Sequence, residues 1–257
     1  MNYPILTFAC VLGLGLASCK KETNETPQDP TPAATSGSVT FSFNNQVDGQ
    51  PLVLNTQNYV NASGETFNVN IYKYYISNIK LFKADGSHYA EPESYHLINQ
   101  ASPTSRTFTL AAVPAGDYVS MSFMIGVDST RNVSGAQTGA LDPANGMFWS
   151  WSTGYIMAKV EGTSPVSPEI GDAISFHIGG FTGINKGIRT VSPSFNSSAL
   201  NVGSTARTIY INSNLNEWWQ TPIAIEFSQT ASNASVNGIN KTIADNYADM
   251  FTVDHIQ

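Results

Sequence analysis

The sequence predicts an all-β protein, a Greek-key β-sandwich with a short C-terminal helix. Three observations predict it. Short apolar stretches alternate with polar residues at period two, as in "SVTFSFNNQV", where Val39, Phe41 and Phe43 share one side. Turn chemistry separates these stretches: Asp48-Gly49, Asp85-Gly86, Pro114-Ala115-Gly116-Asp117 and Asp142-Pro143-Ala144-Asn145-Gly146. No helical pattern is interleaved between them, which excludes the repeating strand–helix unit of parallel α/β sheets.

In chain order, the next strand candidate is "TFNVNIYKYYISNIKLF". Phe67, Val69 and Ile71 alternate there, and the pattern runs through Tyr75 with a change of phase toward Ile79 and Leu81. "SYHLIN", "TFTLAAV", "YVSMSFMIGV", "AISFHIGGF", "RTIYINSNL" and "IAIEFSQ" follow. The one helical pattern lies in "NKTIADNYADMFTVDHIQ". Ile243, Tyr247, Met250 and Phe251 fall at i, i+4, i+7 and i+8, after a cap candidate at Asn240-Lys241-Thr242.

The amino-terminal residues read as an address. Ile5 to Ala17 form an apolar run too short to span a bilayer, and the run ends in Leu16-Ala17-Ser18-Cys19. That tetrapeptide resembles the lipobox of bacterial lipoproteins, which implies cleavage before Cys19, its lipidation and a membrane anchor in the cell envelope. Residues 1–18 are then a signal peptide. Residues 19–38, with Pro27, Pro30 and Pro32 and no aromatic side chain, form a tether, and residues 39–257 form one domain. The mature chain keeps no cysteine besides the lipidated Cys19. A thiolate zinc site and an iron–sulfur cluster are therefore excluded. A net charge of −7 argues against nucleic acid as a partner.

No nucleophile elbow, H-E-x-x-H, P-loop or dinucleotide fingerprint occurs, so no catalytic residue is assigned and the chain is expected not to be an enzyme. The remaining chemistry lies in tryptophan and histidine. "GMFWSWSTGYIMAKVEG" carries Trp149 and Trp151 one residue apart after a turn. In an extended strand Met147, Trp149, Trp151 and Tyr155 point one way, and Phe148, Ile156, Ala158 and Val160 the other. Both faces are apolar at the start, so one belongs to the core and the other needs a cover. From these residues alone, core packing is the ordinary reading of the indoles. Histidine occurs four times. His88 sits beside a turn, and His255 is near the end of the chain. His96 and His177 alternate away from apolar neighbours, and His177 precedes Gly179-Gly180, where the backbone can approach another group closely. Imidazoles on separate elements can meet on copper, zinc or nickel, but spacing alone does not bring these together.

Five phrases together resemble the MbnP-like family of proteins named for the methanobactin operon: "YKYYISNIKLFKADG", "VPAGDYVSMSFMIGVDSTRN", "GALDPANGMFWSWSTGYIMAKVEG", "FHIGGF" and "DMFTVDHIQ". The resemblance covers nearly all of the domain. It implies a copper-binding envelope protein in which a tryptophan is oxidised to kynurenine by a partner di-haem peroxidase-like protein. By that resemblance Trp149 or Trp151 is the oxidised residue, and His177 and His255, with His96 as a third, are the copper ligands. A reading of a different class is a surface module that stacks Trp149, Trp151, Trp218 and Trp219 on glycan or on a protein partner. Adjacent strand residues face opposite sides, so at least one of Trp218-Trp219 in "NEWWQTP" is expected to seek cover or a ligand, and exposure of the pair would support that second reading.

Overall fold

The computed structural model describes Met1 and residues 35–135, 137–149, 154–196 and 198–257. The expected signal peptide, Cys19 and most of the expected tether therefore lie outside the described residues, as does Trp151. The elements in chain order are β1 (Ser36–Val47), β2 (Gln50–Pro51), β3 (Asn58–Val60), β4 (Thr66–Lys83), β5 (His88–Ala90), β6 (Tyr95–Asn99), β7 (Thr107–Pro114) and β8 (Gly116–Ile125). There follow α1 (Ser129–Asn132), β9 (Ile156–Thr163), β10 (Ala173–Gly179), β11 (Arg189–Val191), β12 (Leu200–Val202), β13 (Arg207–Asn214), β14 (Ser232–Asn233), α2 (Gly238–Asn246) and β15 (Phe251–Ile256). Among the described residues no helix is long and apolar enough to cross a membrane.

The strands form two sheets, and the fold is the all-β sandwich that the alternation predicts. The smaller sheet runs β15-β13-β1-β2, with β7 also on β1. The larger runs β11-β8-β4-β9-β10-β14, with β12 on β8 and β3, β5 and β6 on β4. β1 and β13 pair in parallel, with Phe41 opposite Ile209 and Phe43 opposite Ile211. Phe41, Phe43, Ile209 and Ile211 of one sheet meet Tyr72, Tyr74, Phe123 and Phe176 of the other in the main core. Burying each large apolar side chain there contributes about 1.5–3 kcal/mol.

The change of phase in the longest strand has a backbone cause. Core-facing residues of β4 are Phe67, Val69, Tyr72, Tyr74, Ile76, Ile79 and Leu81. The pattern skips a residue twice, where the pairing registers of β4 shift, between Val69 and Ile71 against β9 and between Ser77 and Lys80 against β8. An extra residue in one strand shifts every later side chain to the opposite face. Asn78 absorbs the second bulge with a left-handed φ of 53°. Ile71 is accordingly not a core residue, contrary to simple alternation.

Two further expectations are corrected. "IAIEFSQ" is not a strand. The amides of Gln229 and Thr230 both turn back to the Glu226 carbonyl, and the Phe227 and Ser228 amides donate to the Glu65 carboxylate at 2.6 and 3.0 Å. Ile225 and Phe227 still enter the core, so their hydrophobicity reports burial rather than extension. The C-terminal helix ends at Asn246, followed by a single 3-10 turn, and Phe251 begins β15, which pairs with β13. The cap of α2 is Asn237, whose side chain accepts from the Asn240 amide at 3.0 Å. Asn240 lies inside the helix.

Candidate functional site

Tyr75 and Met157 point away from the main core, since their strand neighbours Tyr74, Ile76 and Ala158 face into it. With Val127, Leu141, Met147, Trp149, Tyr155 and Ile156 they form a second apolar cluster. This is the cover that the doubly apolar "GMFWSWSTGYIMAKVEG" requires. Ile156, expected on the side opposite Trp149, belongs to this cluster with it. The segment after β8 supplies the lid. Tyr75 donates to the Ala140 carbonyl at 3.0 Å, Tyr155 to that of Leu141 at 2.7 Å, and the Asn132 side chain accepts from the Tyr155 amide at 2.8 Å.

Trp149 does not continue straight into β9. The chain folds back as a small hairpin. The Trp149 amide donates to the Gly154 carbonyl at 3.1 Å, the Ile156 amide to that of Met147 at 2.9 Å, and Phe148 bridges Tyr155. Residues 150–153 lie outside the described residues. Trp149 is 6% exposed. Its indole lies directly on Gly179 of β10. A Cβ built on that glycine meets Cη2 and Cζ3 of the indole at 2.3 Å each, so only glycine permits the contact. The close backbone approach expected at Gly179-Gly180 is thus made by Trp149. The Gly179 peptide is fixed from behind. Buried Asn240 accepts from the Gly179 amide and donates to the Gly179 carbonyl, both at 2.9 Å.

His177 lies two residues before Gly179, roughly 7 Å along the strand. Its neighbours Phe176 and Ile178 are in the main core, so its ring stands on the same outer face as Trp149. Nε2 of His177 is 2.8 Å from Glu161 on β9. Burial, followed by the nearby Lys159 ammonium, holds the His177 pKa below the ordinary histidine value despite Glu161. The ring is therefore neutral at physiological pH, with Nδ1 not committed to Glu161. Lys73, Lys159 and His177 occupy one row across β4, β9 and β10, since Lys159 is the register partner of both others.

The other two candidate ligands are placed elsewhere. His255 is on β15 of the smaller sheet, with Nδ1 2.7 Å from Asp254 and its ring stacked on Tyr210. His96, on β6, places Nε2 2.9 and 3.0 Å from the two Glu91 oxygens. Each of these three histidines thus has its own carboxylate. Among the described residues no group of three or more His, Cys, Asp or Glu is arranged to hold a metal. Trp218 and Trp219 sit in a 3-10 turn and are fully buried, packed on Tyr247 and Phe227. Adjacent residues of such a turn can both face one core, so the premise that one of them seeks a ligand does not hold.

Fold and site together define a two-sheet β-sandwich that carries a covered aromatic centre and a neutral imidazole on the outer face of its larger sheet. The chain belongs to the MbnP family, whose model matches residues 36–240. Among solved structures it is similar to MbnP from Methylosinus trichosporium, at 14% identity and a TM-score of 0.54, covering 79% of this chain and 83% of that one. At this identity the likeness shows the shared fold. Comparison with curated proteins finds no match.

Proposed function

We propose that this protein is a methanobactin-associated copper-binding protein of the cell envelope, with its centre at Trp149 and His177. The observation that carries the reading is the placement of a neutral imidazole, two residues along β10, beside the glycine on which the Trp149 indole rests. An imidazole with one nitrogen on a carboxylate and the other available is the form in which histidine ligates copper. Residues 39–257 contain no cysteine, so imidazole, an altered aromatic side chain and the Met147 and Met157 thioethers of the same cluster are the donors at hand for copper.

Oxidation of Trp149 to kynurenine adds such a donor, because kynurenine presents an aniline nitrogen and a ketone. A di-haem peroxidase-like partner consuming two peroxide equivalents delivers two oxygen atoms across the C2–C3 bond of the pyrrole ring and releases two waters. Hydrolysis then removes the formyl carbon as formate. The ammonium groups of Lys73 and Lys159 beside a single carboxylate, Glu161, oppose a dication, so the monovalent copper ion is the one favoured. In this reading His255 and His96, each in its own carboxylate pair away from Trp149, are not ligands of this centre. The protein is a substrate of its oxidase and not itself an enzyme. A lipid on Cys19 anchors it in the envelope.

The test is peptide mass spectrometry and metal analysis of protein purified from its own host. The expected product is a Trp149 peptide that has gained one oxygen and lost one carbon, with copper bound under reducing conditions. His177→Ala is expected to abolish copper uptake with the fold intact. Unchanged uptake in that variant overturns the assignment of His177.

A further inference from the structure

We infer that Gly179, Lys73 and Lys159 are positioning residues that together form a dedicated seat for the Trp149 indole. The seat grips the benzene ring of the indole, which survives ring opening.

Two independent observations carry this. The first is the pair of lysines. Lys73 and Lys159 are directly opposite each other in the β4–β9 register, and like charges so placed are destabilising. Both ammonium groups are turned to one purpose. Lys73 donates to the Asn145 carbonyl at 2.9 Å and Lys159 to the Gly146 carbonyl at 2.7 Å. These consecutive carbonyls end a 3-10 turn at the left-handed Gly146, just before Met147-Phe148-Trp149. Burial, with Lys73 adding to it, holds the Lys159 pKa below its ordinary value despite Glu161, so charge is kept here at a cost. An isolated two-stranded hairpin is marginal in water, and among the described residues this arm has one bridge pair, Phe148 with Tyr155. The two lysines fix the root of that arm to the sheet.

The second observation is the notch itself. The indole atoms nearest Gly179 are Cη2, Cζ3 and Cζ2, all on the benzene ring. The C2–C3 bond cleaved on the way to kynurenine belongs to the other ring. The contacts that hold the side chain before oxidation are therefore available afterwards, and the new aniline nitrogen stays in register with β10. In giving the seat this purpose, the inference rests on the proposed function. The seat itself can be measured without copper or oxidase.

The experiment is hydroxyl-radical footprinting of the metal-free, unoxidised full chain, read by peptide mass spectrometry. Trp218 and Trp219 serve as buried internal references. Gly179→Ala, and separately the double variant Lys73→Met with Lys159→Met, are expected to raise Trp149 labelling about tenfold or more. Both references are expected to stay at the native level. Lys159→Arg, which keeps a cationic donor, is expected to remain near native. Native-like Trp149 labelling in the double lysine variant overturns the inference, and so does a parallel rise at Trp218 and Trp219. If Gly179→Ala does not fold, the lysine variants decide alone. Loss of copper binding in native protein with the footprint as expected refutes the copper reading and leaves the seat standing.

Discussion

The ring of His96 lies face to face with that of Phe108, with centroids 3.5 Å apart and planes within 5°. The two residues belong to different sheets, and Phe108 stacks in turn on Phe41 at 5.4 Å. The column therefore joins β6 to β7 and β1 where the sandwich closes. With one ring face on Phe108 and Nε2 held by Glu91, this histidine acts as an inter-sheet contact. His96→Ala is expected to destabilise the fold by about 1–2 kcal/mol in urea unfolding and to leave copper stoichiometry unchanged. Lower stoichiometry at unchanged stability assigns His96 to the metal instead.

Asn240 ties α2 to the strand beneath Trp149. Its side chain satisfies both polar groups of Gly179 and also donates to the Asn185 carbonyl at 2.6 Å. Asn240→Ala leaves an amide and two carbonyls without these bonds in a buried place, at a cost of about 2–4 kcal/mol. Hydrogen exchange is expected to rise first at the Gly179 amide. A loss of stability with Gly179 still fully protected contradicts this role.

Glu65 substitutes for strand pairing in the segment around Phe227. Burial pushes its carboxyl pKa up, but hydrogen bonds from Ser228, Asn61 and the Phe227 amide outweigh that, and the net pKa is lowered. A carboxylate depressed in the folded state contributes stability that is complete above the unfolded-state pKa. That stability is lost as pH falls through the folded value. Native protein is therefore expected to lose stability with acid faster than Glu65→Gln below about pH 4.3. The two curves run parallel at neutral pH, with the variant less stable. Parallel curves through the acid range exclude Glu65 from acid unfolding.

The strand pattern and its turns were legible because alternation with period two follows directly from the pleat. Even the bulges of β4 left a trace, as the change of phase toward Ile79. The reading failed where hydrophobicity reported burial without geometry. "IAIEFSQ" is apolar because Ile225 and Phe227 enter the core, but the Glu65 carboxylate takes the amides that a neighbouring strand takes in a sheet. Ile243, Tyr247, Met250 and Phe251 fit one helical stripe, yet Phe251 pairs with Ser213 in a ladder. The site was legible in part. Gly179 announced a close approach, and Trp149 announced a need for cover. Lys73, Lys159 and Asn240 carried no signal, since a lysine on a strand reads as solvated and an asparagine near a helix start reads as a cap.

By itself, the sequence determined the fold class, the lack of cysteine in residues 39–257 and the residue types available to a metal there, because these follow from local periodicity and composition. The tertiary structure alone decided which side chains meet. It placed His177 beside the seat of Trp149, His255 on the opposite sheet and His96 in an inter-sheet stack, and it buried Trp218 and Trp219 together. Such meetings are set by register, bulges and the pairing of distant strands, whose partners lie far apart along the chain and leave no periodic mark on it.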